Sequence, residues 1–387
     1  MNARQRFLAT MHYQPRDRCP IVDFSFWPET IDAWRAQGLP DWVGRQYDAV
    51  TQREFFGTES YGDGPCGNPH MVPAIPERIL EDLGDEEIVM DTNGVTLRRS
   101  KINVSIPMYL DYTLKDRVSW ETHYKHRFDP ANPRRYPNDW DAARKVWNDP
   151  DCPFPRRVWG GSFYGWIRDM MGVEGVSYLV YDDPALFEEM VVTMTDCKVG
   201  VLERLYAEGA QFDVCSMWED MCYNGGPLLS PQHFKQFLVP QIRRVTDILR
   251  SHGCDIIYTD CDGKIDELIP LFLESGINCM FPIEVGTWRA DPLIMRREYG
   301  RELLLMGGFD KHILALGPDA IDAEVHRLAP LVEEGGYIPM PDHRVPPDVT
   351  LANYQHYLRS AWLVWGKGGT PQSWTAAAPQ RGGAAGL

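Results

Sequence analysis

No stretch of this 387-residue sequence reaches the ~18–20 consecutive apolar residues that a membrane helix needs, so no membrane partner is expected. The opening Met1-Asn2-Ala3-Arg4-Gln5-Arg6-Phe7 lacks the apolar stretch of a secretory signal, which gives the expectation of a cytoplasmic protein. No CxxC pair occurs among the nine cysteines, and their number is odd. That composition reads as a reduced set rather than a disulfide framework. Positive charge is also scarce: 39 Lys and Arg stand against 55 Asp and Glu, a formal charge of −16. Nucleic acid is thereby excluded as a general partner, whereas a small anion held by a few local cations is not. No nucleotide cofactor is expected.

What the chain does contain is a 44% apolar fraction, enough for a large core, and 13 Trp with 17 Tyr. These aromatics fit lined pockets, but core packing accounts for them at least as well. Residues 1–18 read as a helix ending near Pro15, and Pro20-Ile21-Val22-Asp23-Phe24 as a short strand. Asn93-Gly94 between Ile88-Val89-Met90 and Val95-Thr96-Leu97 is a strong hairpin signal, so an antiparallel insertion is expected at 86–125. Residues 126–156 read as a long surface loop with one short helix. From 157 onward short apolar runs alternate with helical patterns. Strands are expected at Val158-Trp159-Gly160, Tyr178–Tyr181, Phe212–Ser216, Asp255–Tyr258, Cys279–Ile283, Leu303–Met306 and Tyr337–Met340. Helices are expected at 166–171, 185–207, from Pro231, near Asp266, and at 318–334. This rhythm predicts parallel β/α units in a single α/β domain over 1–375, a (β/α)8 TIM barrel with the hairpin region inserted before the main repeats. An open doubly wound sheet is the alternative, and the Ala/Gly-rich 376–387 reads as a disordered tail.

Barrel chemistry sits at the C-terminal ends of the strands, and acids crowd there: Asp23, Glu219 with Asp220, Asp260 and Asp262 of Tyr-Thr-Asp-Cys-Asp-Gly, Glu284, Asp310 with Lys311, and Asp342 with His343. Each one singly reads equally well as a helix cap or loop residue. Together they would repel unless shared protons, a cation or basic neighbours offset the charge. Lys311, His343 and Arg344 are the basic candidates. Phe24, Tyr164 and Trp218 lie next to strand ends and are candidate pocket walls, as Asp23, Asp310 and Arg344 are candidate substrate contacts. Cys261 reads equally as a small buried hydrophobe.

Met306-Gly307-Gly308-Phe309-Asp310-Lys311, followed by Leu314 and Gly317-Pro318, resembles the GGIDK…L…GP segment of the uroporphyrinogen decarboxylase superfamily. So do Glu334-Gly335-Gly336-Tyr337-Ile338-Pro339 and the Arg-x-Arg-Phe opening that runs to Pro20. The resemblance implies the barrel, a site in its C-terminal mouth, and a homodimer. The porphyrin-pathway enzyme follows its first strand with an arginine-rich loop. This chain has Ser25-Phe26-Trp27-Pro28-Glu29-Thr30 and no arginine until Arg35, which argues against an octacarboxylate substrate because Arg clamps hold carboxylates best. The zinc methyltransferases of the same superfamily carry H-x-C-G and a later cysteine. On that register Asp260 stands at the His, Asp262 at the Cys, and Asp342 or His343 at the second Cys.

Three functions follow in order. The first is a methyltransferase acting on a small methylated substrate such as an O-methyl ether, with any corrinoid held by a partner protein. Asp260, Asp262, Glu284, Asp342 and His343 would then hold a divalent metal, Zn²⁺ first and Mn²⁺ or Mg²⁺ as alternatives. The second is a decarboxylase or other lyase of a small carboxylic acid. Catalytic candidates for both are Asp260, Asp262, His343, Glu219 and Lys311. The third is a ligand-binding or assembly protein without catalysis.

Overall fold

The structure is a computed structural model that describes residues 1–45, 48–102 and 106–368. Asn93-Gly94 closes the expected hairpin between strands β2 (Glu86–Met90) and β3 (Val95–Ser100), with Val89 opposite Leu97. Asp91 makes the turn by accepting the Asn93 and Val95 amides at 2.9 Å each. Gly94 is required at φ +79°, since a Cβ there would meet the Tyr124 hydroxyl at 2.6 Å. The insertion is larger than one hairpin. Strands β1 (Arg78–Asp82) and β4 (Met108–Tyr112) flank it in the order β1-β2-β3-β4. Both flanking strands are exposed along most of their length, so neither shows the alternation that marks a half-buried strand.

The main sheet is parallel and has six strands in the order β5-β6-β9-β10-β11-β12. They are β5 (Arg157–Gly161), β6 (Val214–Trp218), β9 (Ile256–Asp260), β10 (Cys279–Ile283), β11 (Leu304–Phe309) and β12 (Tyr337–Pro341). A two-residue hairpin, β7 (Cys222–Tyr223) with β8 (Gly226–Pro227), lies between β6 and β9. The parallel strands are near-continuous apolar runs because both faces are covered. Alternation sorts their side chains. Val214, Ile256, Tyr258, Cys279, Phe281, Leu304, Met306, Ile338 and Met340 form one cluster, closed at its foot by Phe7 and Met11 of the first helix. Cys215, Ile257, Met280, Leu305 and Tyr337 face the helices in the other. No helix among the described residues is long and apolar enough to cross a membrane.

Five expectations need correction. Pro20–Phe24 is not a ladder strand. The segment makes a single parallel bridge, Phe26 to Val345 beside β12, and hands over to Glu59, whose amide donates to the Ile21 carbonyl at 2.7 Å. Asp63 then bridges Arg156 beside β5. Tyr178–Tyr181 is helical, within Gly165–Asp182: Val176, Leu179 and Val180 are buried while Tyr178 and Tyr181 are exposed, a 3–4 spacing hidden in a short apolar run. That helix runs past the expected end at Met171 through a kink at Gly172, where the Tyr112 ring leaves no room for a Cβ. The first helix stops at Met11 rather than Pro15, and the one after β9 begins at Ile269, leaving 261–268 as a loop. The 126–156 segment carries its expected helix at Trp140–Trp147 and is pinned by buried Arg135, which donates to the Asp129, Asn68, His70 and Arg127 carbonyls. The 376–387 tail lies outside the described residues.

Candidate active site

Alternation along β9 turns Ile256, Tyr258 and then Asp260 toward the inner cluster, so the last strand residue delivers a carboxyl into the mouth. Cys261 faces the other way, 1% exposed and next to Cys222. Burial raises the Asp260 carboxyl well above the usual carboxylate range, and Asp262, Asp220 and Glu284 add to the rise while Arg344 opposes it. Glu284, at the end of β10, is raised by burial and then by Asp262. Its Oε2 accepts the Gly263 amide at 2.8 Å, and its Oε1 lies 3.9 Å from the Lys311 ammonium. Asp220, raised by burial and steadied by Arg168 at 3.0 Å, faces the same group.

Aromatic rings wall the space. Phe24 stacks on Phe281 at 5.2 Å and on His343 at 4.9 Å. Tyr61 and Tyr258 tilt onto Phe281 at 5.7 and 5.2 Å. His343 reaches Asp262 at 3.3 Å, and the Arg344 guanidinium lies over Trp27 at 4.8 Å. A cavity of about 140 Å³ runs between Phe24, Tyr61, Arg157, Ser216, Tyr258, Asp260 and Phe281. A second, of about 460 Å³, shares Phe24, Tyr61 and Arg157 and extends past Asp23 to Arg344. Volumes of this order suit a small molecule.

The structure thus gathers Asp23, Phe24, Asp260, Asp262, Glu284, Lys311, His343 and Arg344 around one opening, but gives some of them other work. Asp342 is fully buried and spends both oxygens on backbone: Oδ2 accepts Val285 and Gly286 amides at 2.8 and 3.1 Å, and Oδ1 accepts that of Lys311 at 2.9 Å. It ties three loops together. Glu219 is also fully buried, and accepts the Phe163, Tyr164 and Gly165 amides and the Ser162 hydroxyl. It therefore anchors the start of the helix after β5 instead of facing the cavity. Tyr164 is buried behind it and lines a separate small hollow with Val176 and His233. Trp218 lies under the Arg168 guanidinium at 5.2 Å. Asp310 turns outward to His312 at 2.8 Å. Asp23 accepts Thr58 at 2.6 Å and the Tyr354 hydroxyl, and burial raises it.

The expected metal set does not assemble. Among the described residues no group of three or more His, Cys, Asp and Glu side chains is placed to hold a metal ion. Both Asp342 oxygens are taken by backbone amides and Glu284 is engaged at both ends, whereas one Asp262 oxygen is buried without a hydrogen bond. The sequence reading missed Arg157, Tyr61 and Tyr258. Tyr258 was available by counting two back from Asp260, and Arg157 as a charge at the head of an apolar strand. Tyr61 comes from an irregular segment with no periodic signal.

The comparisons with known proteins agree with this picture of the fold. Over 157 residues, 40% of this chain and 41% of the relative, the sequence is 26% identical to a uroporphyrinogen decarboxylase of Nocardia farcinica (strain IFM 10152), so the match spans under half the length of that relative. A solved methyltransferase from Methanosarcina mazei superposes with a TM-score of 0.57 at 16% identity, covering 93% of this chain and 98% of that one. At that identity the likeness speaks for the fold alone. The family profile of uroporphyrinogen decarboxylase (URO-D) matches residues 166–361, half of the chain, and the chain belongs to that family.

Proposed function

We propose that this protein is a (β/α)8-barrel enzyme that decarboxylates a small carboxylic acid, with Asp260 as the proton donor. The observation that carries the reading is the half-buried carboxyl of Asp260, its affinity for a proton raised by its surroundings, opening onto an aromatic-walled cavity. When the C–C bond breaks, the electron pair stays on the substrate carbon and CO₂ departs. The Asp260 proton then goes to that carbon, and a poised carboxylic acid is the group this step requires. The half-buried His343–Asp262 pair borders solvent and would return the proton to Asp260. The curated relative named as a decarboxylase supports the reading. The arginine-free 25–34 segment and a mouth of these dimensions favour a substrate smaller than a porphyrinogen.

A second reading is methyl transfer from a small methylated substrate to a corrinoid partner protein. The Asp262–His343 pair favours it, because a departing alkoxide or phenolate also needs a proton and would take it from Asp260 backed by that pair. A panel of small acids and methyl ethers, followed for CO₂ release and for methyl transfer to a corrinoid, tests both readings. The expected result is CO₂ release with solvent deuterium on the product carbon, lost in Asp260→Asn. Activity undiminished in that variant would sink both.

A further inference from the structure

Arg157 stands at the head of β5, at the floor of the same mouth, and lines both cavities. Its neighbour Arg156 points the other way and is matched by Asp213 at 3.0 Å. Arg157 has no such match: among the described residues no carboxylate forms a salt bridge with it, and its partners are neutral, a hydrogen bond to the Tyr258 phenol with the Tyr61 phenol and Cys66 nearby. Arg53, which also lines the larger cavity, is already paired with Asp63 at 3.6 Å. A guanidinium drawn partly out of water without a counter-charge is costly. Its five donors in a flat fork fit a carboxylate better than any other small group. The rings of Phe24 and Phe281, stacked at 5.2 Å and inclined by only 17°, wall the space beside it. Asp260 pairs in register with Phe281 and lines the same 140 Å³ cavity.

We propose that Arg157 seats a carboxylate, so that the mouth takes a small planar carboxylic acid held on Arg157 beside the stacked Phe24 and Phe281 rings. The inference rests on reading this mouth as the small-molecule site. It also divides the substrate into two ends. The carboxylate on Arg157 is the anchor and not the group lost, because a guanidinium stabilises the ground-state anion and would oppose CO₂ departure. The reacting group is at the other end, beside Asp260: a second carboxylate for decarboxylation, or a methyl ether for methyl transfer. The substrate class is then a planar dicarboxylic acid or a methoxy-substituted carboxylic acid.

Titration calorimetry on the full chain with benzoate and with its neutral isostere benzamide tests the anchor alone. Benzoate is expected to bind, benzamide at least about tenfold more weakly, and Arg157→Gln to lose that difference. Asp260→Asn should keep benzoate affinity even where turnover is gone. That separates failure of the anchor from failure of the acid: retained turnover in Asp260→Asn with benzoate binding lost in Arg157→Gln would overturn the proposed chemistry and leave the anchor standing. Should Arg157→Gln not fold, Arg157→Lys carries the test. Its affinity should fall at least about threefold, because a single ammonium replaces the fork. Equal binding of benzoate and benzamide by the wild type, no binding of benzoate, or unchanged affinity in the folded variant overturns the proposal.

Discussion

Asp213 and Asp260 sit at opposite ends of neighbouring strands in one sheet, and their surroundings have opposite effects on them. Asp213, just before β6, accepts Arg4 at 2.8 and 2.9 Å and Arg156 at 3.0 and 3.1 Å, with the Arg156 amide at 2.8 Å. Burial alone would raise it, but these partners win and hold it below its ordinary value. Asp260, closing β9, is half-buried among acids, and there the loss of water wins. At the foot Asp213 is matched by two guanidinium groups, one of them on the first helix. At the mouth charge is left in excess, which costs stability and keeps a proton available.

Removing Asp260 should have the largest effect. Asp260→Asn is expected to lower kcat by about 10²–10⁴-fold, the range for a lost general acid, while its melting temperature holds or rises. Single-turnover CO₂ release and a thermal melt read the two together. Asp213→Asn should do the reverse. It leaves the Arg156 guanidinium buried without its charge partner, so about 3–5 kcal/mol of stability should go by urea titration, with kcat little changed in the folded fraction. Glu219→Gln falls between them. One amide oxygen cannot serve all three backbone amides, and about 1–3 kcal/mol should be lost, with activity returning at lower temperature if the role is positional. Lys311→Met should have the least effect, since its pairing with Glu284 is 3.9 Å long: about 1 kcal/mol or less by urea titration.

Acidity sharpens the same comparison. Asp213 is lowered in the folded state, so its contribution is present above the unfolded carboxylate range of roughly 4 and is lost as pH falls through the lowered value. Asp260 is raised, so the folded state holds more protons than the unfolded one between roughly 4 and the raised value, and its contribution shrinks as pH climbs through that window. Urea titrations across pH should show Asp213→Asn flattening the acid limb. Asp260→Asn should gain on the wild type as pH rises, and wild-type turnover should fall through the same window.

Much of this was legible in the chain. Cys279–Ile283 and Tyr337–Met340 announced themselves as buried parallel strands because covering both faces leaves no polar residue inside the run. Asn93-Gly94 fixed its hairpin through a backbone only glycine adopts freely. The run at Tyr178 misled because four apolar residues fit either period, and the exposed β1 and β4 have no buried face to write a pattern. Asp342 and Glu219 looked like site acids, yet their oxygens are taken by amides from loops about 30 to 57 residues away.

By itself the sequence determined that acidic residues follow the apolar strands and, through the two-residue alternation of an extended chain, that Asp260 falls on the face of Tyr258 and Ile256. Only the tertiary structure decided which acids are paired, which hold a proton more tightly than usual, and that Arg157 faces a cavity while Arg156 meets Asp213. The physical reason is that a side chain's direction follows from local geometry, whereas its charge state depends on burial and on partners brought together from distant parts of the chain.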